Sequence, residues 1–585
     1  MSGYPGTTRR IVRRRGDPAV LRKLATYYHP VLARVFCNRQ VAEPDQLRYP
    51  LTRLHPPDLL GGMDTAVALL ADAIRDDARI LFVGDFDVDG ATSCALGVLA
   101  LGAMGARRVD YLVPNRFADG YGLTPGTVER ALTRRPDVIV TVDNGISSHA
   151  GVAAAREQDV AVIITDHHLP GATLPAADAI IDPNLPDDPF PSKCLAGVGV
   201  IFYAMLALRG RLRESGWFSA RATQQPNLAE FLDLVALGTV ADMASMDHNN
   251  RILVSQGLAR INAGRCRPGI TALLATGKRE PGRIGTSDLG FVVGPRLNAA
   301  GRLDDITVGV ECLLTDDRRR AAETARILDG INIQRRAIEA AMQQQAVDAV
   351  SRLHLNGDER LPAGLSLFDP TWHEGVVGLV ASRIRERTDR PVVAFAPGLD
   401  GDLKGSARSL PGLHIRDVLQ AVDAHHPGLL LRYGGHSMAA GVSIAAERFD
   451  VFRTAFDAEV DRAMGTAEPV GCIYTDGELP GADTTLAFAD TLREAAPWGK
   501  DFPEPSFDGE FDVLNHRIVG ERHLKLRVRP VSAVDVFDAI GFRYCQAGEN
   551  PEVPKRVRIA YRLEANEYRG VRAPQLVVEH FQDAS

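Results

Sequence analysis

The 585-residue sequence predicts an α/β protein: a parallel sheet with helices on both faces, a helical connector, a smaller α/β unit and a C-terminal β-barrel. Three observations predict it. Between Arg79 and Pro183, five short apolar runs alternate with helix-length segments. From Thr315 to about Leu353 a single helical pattern runs on, interrupted by one glycine, Gly330. After Pro469, short runs of alternating apolar and polar residues are separated by glycine turns.

Arg9, Arg10, Arg13, Arg14 and Arg15 are followed by no apolar stretch, so they are no secretory signal. They predict a basic, poorly ordered tail, with organelle targeting as the alternative. The five apolar runs are Ile80–Val83, Val109–Val113, Val138–Val142, Val160–Ile164 and Ala179–Ile181. They are rich in Val and Ile and continuously apolar, as strands buried on both faces are. Thr92–Met104, Thr124–Arg135 and Ser147–Gln158 are long enough for the helices between them. Such alternation predicts a parallel sheet. Thr315 is a suitable cap for the long helix, with Asp316 and Asp317 in its first turn. Its apolar positions include Ala325, Leu328, Ile331, Ile338, Met342 and Val350. A second α/β unit follows from about Pro362 to Met464, and Leu524–Val528 and Gln575–Glu579 alternate like strands of a small barrel or sandwich. The expected division is 1–45 (basic extension), 46–314, 315–355, 356–465 and 466–585.

The chain is 45% apolar and 24% charged, ordinary for a folded soluble protein. No apolar run reaches the roughly 18–20 residues that span a bilayer. Seven cysteines, none spaced CxxC and odd in number, argue against a zinc site or a disulfide framework and fit a reducing cytoplasm. A net charge of −7 does not advertise nucleic-acid binding. Between Arg251 and Asp305, however, nine basic residues face four acidic ones, a local excess able to attract phosphates or to serve as a solvated face.

The polar residues that break the pattern fall where strands end. Asp85, Asp87 and Asp89 follow the first run, Asp143 the third, and Asp166, His167 and His168 the fourth. Ligands of open α/β sheets bind beyond the carboxyl ends of the strands, so three strands deliver acids and imidazoles to one edge. Three carboxylates within five residues repel one another, and a cation among them relieves this. An EF-hand is excluded, because Leu96 stands where its last glutamate belongs. A solvated acidic turn is disfavoured by the buried strand before it and by the small residues Ala91-Thr92-Ser93 after it. By itself Asp143 would pass as a helix cap, and Asp242, after Gly238-Thr239-Val240-Ala241, says nothing. Imidazole combined with carboxylate suits Mn²⁺, Zn²⁺ or Fe²⁺. Adjacent histidines point apart, so one suits a metal and the other a substrate phosphate. The set supplies ligands for two metals, which at about 3.5–4 Å separation activate water and neutralise a phosphate's attacking and leaving oxygens. No GxSxG or GxxxxGK[ST] run is present; Lys404-Gly405-Ser406 lacks the upstream glycine.

Asp85-Phe86-Asp87-Val88-Asp89-Gly90, Asp143-Asn144-Gly145, Asp166-His167-His168 and Gly238-Thr239-Val240-Ala241-Asp242 resemble the four ordered motifs of the DHH phosphoesterase superfamily. Pro114–Leu123 and Gly294–Arg302 are similar to signatures of the RecJ family of bacterial single-stranded-DNA exonucleases. So is Trp372–Gly378 with Ala381-Ser382-Arg383. Lys404–Ser409 and Gly434–Gly441 resemble the DHH-associated (DHHA1) substrate-binding domain, and Ala496–Pro505 the opening of an OB domain. The likeness covers about residues 45 to 580, and Tyr568 stands where tryptophan is expected.

The resemblance implies a DHH domain, a DHHA1 domain and an OB-like barrel. It implies metal ligands at Asp85, Asp87, Asp89, Asp143, His167 and Asp242, leaving open which of the first three bind directly. It implies two ions, Mn²⁺ or Mg²⁺, and catalytic roles for His168, Asp87 and Asp143, with His168 on the scissile phosphate. Arg296, Asn298, Arg302, Arg383, Ser406, Arg408 and His436 would hold the strand. The implied activity is hydrolysis of single-stranded DNA from the 5′ end to mononucleotides, in DNA repair and recombination. The implied partners of a cytoplasmic, non-membrane monomer are single-strand-binding protein and a DNA helicase. A small-molecule phosphodiesterase would use the same site without the extra β domain. A non-enzymatic replication scaffold is disfavoured by the complete ligand set.

Overall fold

The structure, a computed structural model, describes residues 9–115, 119–355, 361–398, 401–464, 471–520, 522–545, 551–568 and 570–584. Arg116, Phe117 and Ala118 of the Pro114–Leu123 motif, and Arg569 beside Tyr568, lie outside them. The chain forms two compact units. One comprises residues 16–332 with 491–504, the other residues up to 15 with 333–490 and 505–585.

The expected loose tail is instead a strand, β1 (Arg10–Arg13), paired in parallel with residues 472–475. Arg13 donates to both oxygens of buried Asp508, at 2.9 and 3.1 Å from its Nε, and this fixes the strand. Pro18–Leu24 and Pro30–Cys37 are helices, each with proline in its first turn, so the extension is structured beyond the strand as well.

The first unit is built on β2 (Ile80–Gly84), β3 (Val109–Leu112), β4 (Val138–Val142), β5 (Ala161–Thr165) and β6 (Ala179–Ile181). All are parallel, in the order β3-β2-β4-β5-β6. β2 and β4 are buried throughout, which is why their sequences are unbroken apolar runs. Leu81, Val83, Ile139 and Ile164 share a core with Leu123, Val128 and Val152. Each such side chain stabilises the fold by about 1.5–3 kcal/mol relative to exposure. The chain leaves β2 for β3, then returns to lay β4 on β2's other side. A reversal of this kind opens a crevice beyond the strand ends. Here it lies past Gly84 and Val142, which are register partners.

Three sequence expectations shift. The helix after β2 begins at Val88, not Thr92, because the Asp87 carboxylate accepts the N–H groups of Asp89 and Gly90 and caps it. The long helix runs Arg318–Leu355 and is capped by Asp317, which accepts from Arg319 and Arg320, not by Thr315. Residues 491–504, which overlap the Ala496–Pro505 segment expected at the opening of the OB domain, pack with the first unit. Trp498 stacks 6.0 Å from Phe36 and 5.3 Å from Phe502, and Arg39 donates to the Pro503 carbonyl at 2.7 Å.

In the second unit β7 (Leu365–Phe368), β8 (Val392–Pro397), β9 (Asp402–Arg408), β10 (Leu430–Gly435) and β11 (Ala439–Ala445) form a mixed sheet ordered β10-β11-β9-β8-β7. The helices Glu374–Thr388, Ile415–His425 and Phe449–Met464 belong to it. β12 (Cys472–Thr475) is the partner of β1. β13 (Phe507–Val519), β14 (His523–Pro530), β15 (Phe537–Gly541), β16 (Arg556–Tyr568) and β17 (Val571–Asp583) close into a barrel, with both sequence-predicted strands in β14 and β17. Among the described residues no helix is long and apolar enough to cross a membrane.

Candidate metal centre

Side chains from four segments meet beyond β2, β4 and β5. Three overlapping groups have ligand atoms within 4.8 Å of one another: Asp85, Asp87 and Asp143; Asp89, His167 and Asp242; Asp143, His167 and His168. Every residue expected as a metal ligand is in one of them, and Asp143 and His167 each belong to two.

Local backbone physics sets the positions. Gly90 lets the turn after β2 close tightly, because a Cβ there would lie 2.3 Å from the Asp85 carbonyl oxygen. Asp143 leaves β4 in the left-handed region, at φ 61°, a conformation Asp tolerates better than most residues. Its Oδ1 lies 2.9 Å from His167 Nε2. Asp89 is buried and accepts the N–H groups of Gly197 and Val198 at 2.6 and 2.9 Å. Those N–H groups open the helix Gly197–Glu214, whose first turn has no side-chain cap of its own. Asp242 is the C-cap of the helix Leu232–Ala241.

The two histidines differ in state. Burial and the neighbouring His168 charge hold His167 below its ordinary pKa, so it is neutral and keeps a lone pair for a cation. Burial opposes charge on His168 as well, but its bond to Asp166 and the surrounding carboxylates prevail and raise it to about 9. Asp166 Oδ1 lies 2.7 Å from His168 Nδ1 and also accepts both histidine backbone N–H groups. Its other oxygen accepts from Ile146 at 2.9 Å. Asp166 is therefore the orienting group of the pair, a role the sequence reading did not assign although the residue stood in the motif. Asn184 was missed altogether; it donates to the His167 carbonyl at 2.6 Å.

The carboxylates carry the opposite signature. Burial and Asp242 push Asp89 up to about 7, and burial and Asp87 push Asp242 to about 7. Burial and Asp89 hold Asp143 well above the usual carboxylate range. These acids stay raised although His168 and Lys500 oppose the shift at Asp242, so their repulsion is not offset, and the overlapping oxygen and nitrogen donors fit hard or borderline divalent cations.

Residues 79–239 match the DHH family N-terminal domain, 362–462 the DHHA1 domain and 475–580 the RecJ OB domain. The chain is 53% identical over 570 residues to the single-stranded-DNA-specific exonuclease RecJ of Dickeya dadantii, covering 97% of this chain and 99% of that one. The chain belongs to the RecJ family. It is 51% identical to RecJ of Escherichia coli, over 94% of this chain and 95% of that one. A crystal structure of Thermus thermophilus RecJ in complex with Mn²⁺ superposes with a TM-score of 0.80 at 30% identity, covering all of this chain and 80% of that one. The same protein is also known in complex with Mg²⁺ (TM-score 0.74, 29% identity, 99% of this chain and 79% of that one).

The remaining RecJ-type residues fall into two sets, one on each unit. Beside the cluster, Asn298 accepts the Val88 N–H at 3.2 Å and so braces the aspartate turn itself. Arg296 is buried and paired with Asp329 at 2.9 Å, and Arg302 lies in the last turn of the same helix, Gly294–Leu303. On the second unit, Arg383 is neutralised by Glu339 and Glu386 at 3.4 and 3.1 Å. Exposed His436 follows β10, with its N–H on the Ala439 carbonyl. Arg408 differs from the other arginines. It donates to Ser382 and Ser406 hydroxyls at 3.2 and 2.8 Å and has no carboxylate partner among the described residues. Burial and neighbouring Arg385 lower its pKa. Gly378 adjoins it, where a Cβ would lie 2.7 Å from Nη2. A half-buried guanidinium beside two hydroxyls and a glycine has the chemistry to hold an anion. Ser382, Gly378 and Arg385 are the members of it that the sequence reading left out of the site.

Proposed function

We propose that this RecJ-family protein is a metal-dependent exonuclease that hydrolyses single-stranded DNA from the 5′ end, releasing mononucleotides, in DNA repair and recombination. The observation that carries the reading is the overlap of the carboxylate–imidazole groups, with Asp143 and His167 each shared by two. Asp85, Asp87, Asp89, Asp143, His167 and Asp242 hold two ions, Mn²⁺ or Mg²⁺. Bound there, the metal supplies Lewis acidity and a water made acidic enough to attack at neutral pH. Cationic His168, fixed by Asp166, donates a hydrogen bond to the scissile phosphate and stabilises the charge that grows on it. Asn298 keeps the aspartate turn in register, and Arg296 and Arg302 follow on its helix as strand contacts. On the second unit, Arg408, Ser406, His436 and Arg383 take backbone phosphates, with Arg408 as the principal anchor.

The protein acts as a monomer in the cytoplasm, with single-strand-binding protein and a helicase as partners; its seven cysteines form no disulfide, in agreement with a reducing compartment. The deciding experiment digests single- and double-stranded DNA labelled at either end, with Mn²⁺ and with chelator. Release of mononucleotide from the 5′ end of single strands, only with metal, is expected. Equal attack on duplex, release from the 3′ end, or activity in chelator would defeat the proposal.

A further inference from the structure

The helix Leu232–Ala241 stops in a tight way. The Met243 N–H bonds the Val240 carbonyl at 3.2 Å and the Ala244 N–H bonds the Thr239 carbonyl at 3.2 Å. This closure needs the residue after Asp242 to be left-handed, and Met243 has φ 57°. Glycine adopts that conformation without penalty and is the usual residue there; a long side chain is strained. Packing does not explain the methionine, because it is 67% exposed while Ala244 beside it is buried. A strained, solvent-facing apolar side chain is thus held immediately after a member of the metal cluster.

The same pattern recurs around the cluster. Leu169, the residue after His168, is 65% exposed. Tyr121 is half exposed, its ring 6.1 Å from His168 and 5.9 Å from Phe86. Exposed apolar groups bordering buried ionic ones suit a ligand with an anionic part and a flat apolar part. A nucleotide is such a ligand. The methionine thioether is flexible and polarisable and packs on aromatic faces. It suits a base of any identity, as contacts to a base's face are sequence-tolerant.

We propose that Met243 contacts the base of the terminal nucleotide whose phosphate is cleaved, a reading that rests on the exonuclease function above. The test compares wild type with Met243→Gly in Mn²⁺, measuring first-nucleotide release from two single strands. One strand is ordinary; the other has abasic nucleotides at both ends. Glycine relieves the strain, so the melting temperature is expected to hold or rise. On the ordinary strand KM is expected to rise three- to tenfold with kcat within twofold. On the abasic-ended strand the two proteins are expected to agree within twofold. An unchanged KM on the ordinary strand would overturn the proposal. So would the same loss on both strands, since Met243 would then act through the cluster rather than the base. If wild type releases nothing from either strand, the exonuclease reading fails first and takes this one with it.

Discussion

The acid cluster of the first unit and the arginine cradle of the second are the same electrostatic problem with opposite signs. Asp89 and Asp143 are buried and Asp242 is half-buried; burial and neighbouring carboxylates raise all three, against the opposing pull of His167, His168 and Lys500 on members of the set. Arg408 is a half-buried cation whose bonds go to hydroxyls and a carbonyl, with Arg385 adding to its charge. Asp508 in the second unit shows the ordinary solution. It is buried too, yet Thr475, Arg13 and Arg558 all donate to it, and these bonds outweigh burial and lower its pKa. Burying a charge is costly unless it is paired. Asp508 has its counter-charges within the fold; the other two regions do not, and on the proposed function a cation would balance one and a phosphate the other.

The sharpest way to break this comparison is Asp143→Asn, which keeps the shape and removes one charge. Nuclease activity should fall on the order of 10³-fold or more, because two cation groups share that residue. Single-strand affinity in gel shift should stay within a fewfold, and metal-free thermal stability should rise. Unchanged activity in saturating Mn²⁺ would remove Asp143 from the centre.

Arg408→Met tests the cradle. Losing a charge-assisted phosphate contact of about 1.5–3 kcal/mol raises KM by roughly 10–100-fold. Stability should hold or improve, since an apolar side chain replaces a half-buried charge that has no carboxylate partner among the described residues. Arg383→Ala should change KM much less, because Glu339 and Glu386 already engage that arginine. Equal effects of the two substitutions would dissolve the distinction between them.

The smallest expected effect is a pH slope. Asp89 and Asp242 sit near 7 in the folded protein against an ordinary 3.8, and His168 near 9 against 6.5. All are raised, so the metal-free fold binds protons that the unfolded chain has released. Their stabilisation is complete below the unfolded values and is lost as pH rises through the folded ones. In chelator, the melting temperature should therefore fall by a few degrees between about pH 5 and pH 9. Saturating Mn²⁺ should flatten the slope. A slope indifferent to metal would mean that the cluster is not where the ion binds.

The strands were legible because β2 and β4 are buried on both faces, and burial on both faces leaves no polar residue to interrupt the run. The gathering of Asp85, Asp143 and His167 was legible because a parallel sheet brings its strand ends together, whereas Asp242, at the end of a helix, was expected there only from the family resemblance. What stayed hidden depends on single long-range bonds. Nothing local to Asp89 announces that the helix starting at Gly197 donates to it. Nothing near Arg383 or Arg296 announces Glu339 or Asp329. Asn298 reads as a strand contact from its motif and acts on the Val88 N–H. Caps one or two residues off, as at Asp87 and Asp317, reflect several polar residues competing for the same orphan N–H groups.

The pairing of β1 with β12 has a consequence for how the protein is made. Residues 9–15 are synthesised well before their partners, which are Glu386 and Asp389 and then residues between Gly471 and Gln582. The opening segment must wait through most of translation with its ladder unformed, while residues 16–332 can already condense. The second unit is finished only when these distant segments meet. A nascent chain therefore carries its first sheet and its acids long before it can fasten β1 to β12.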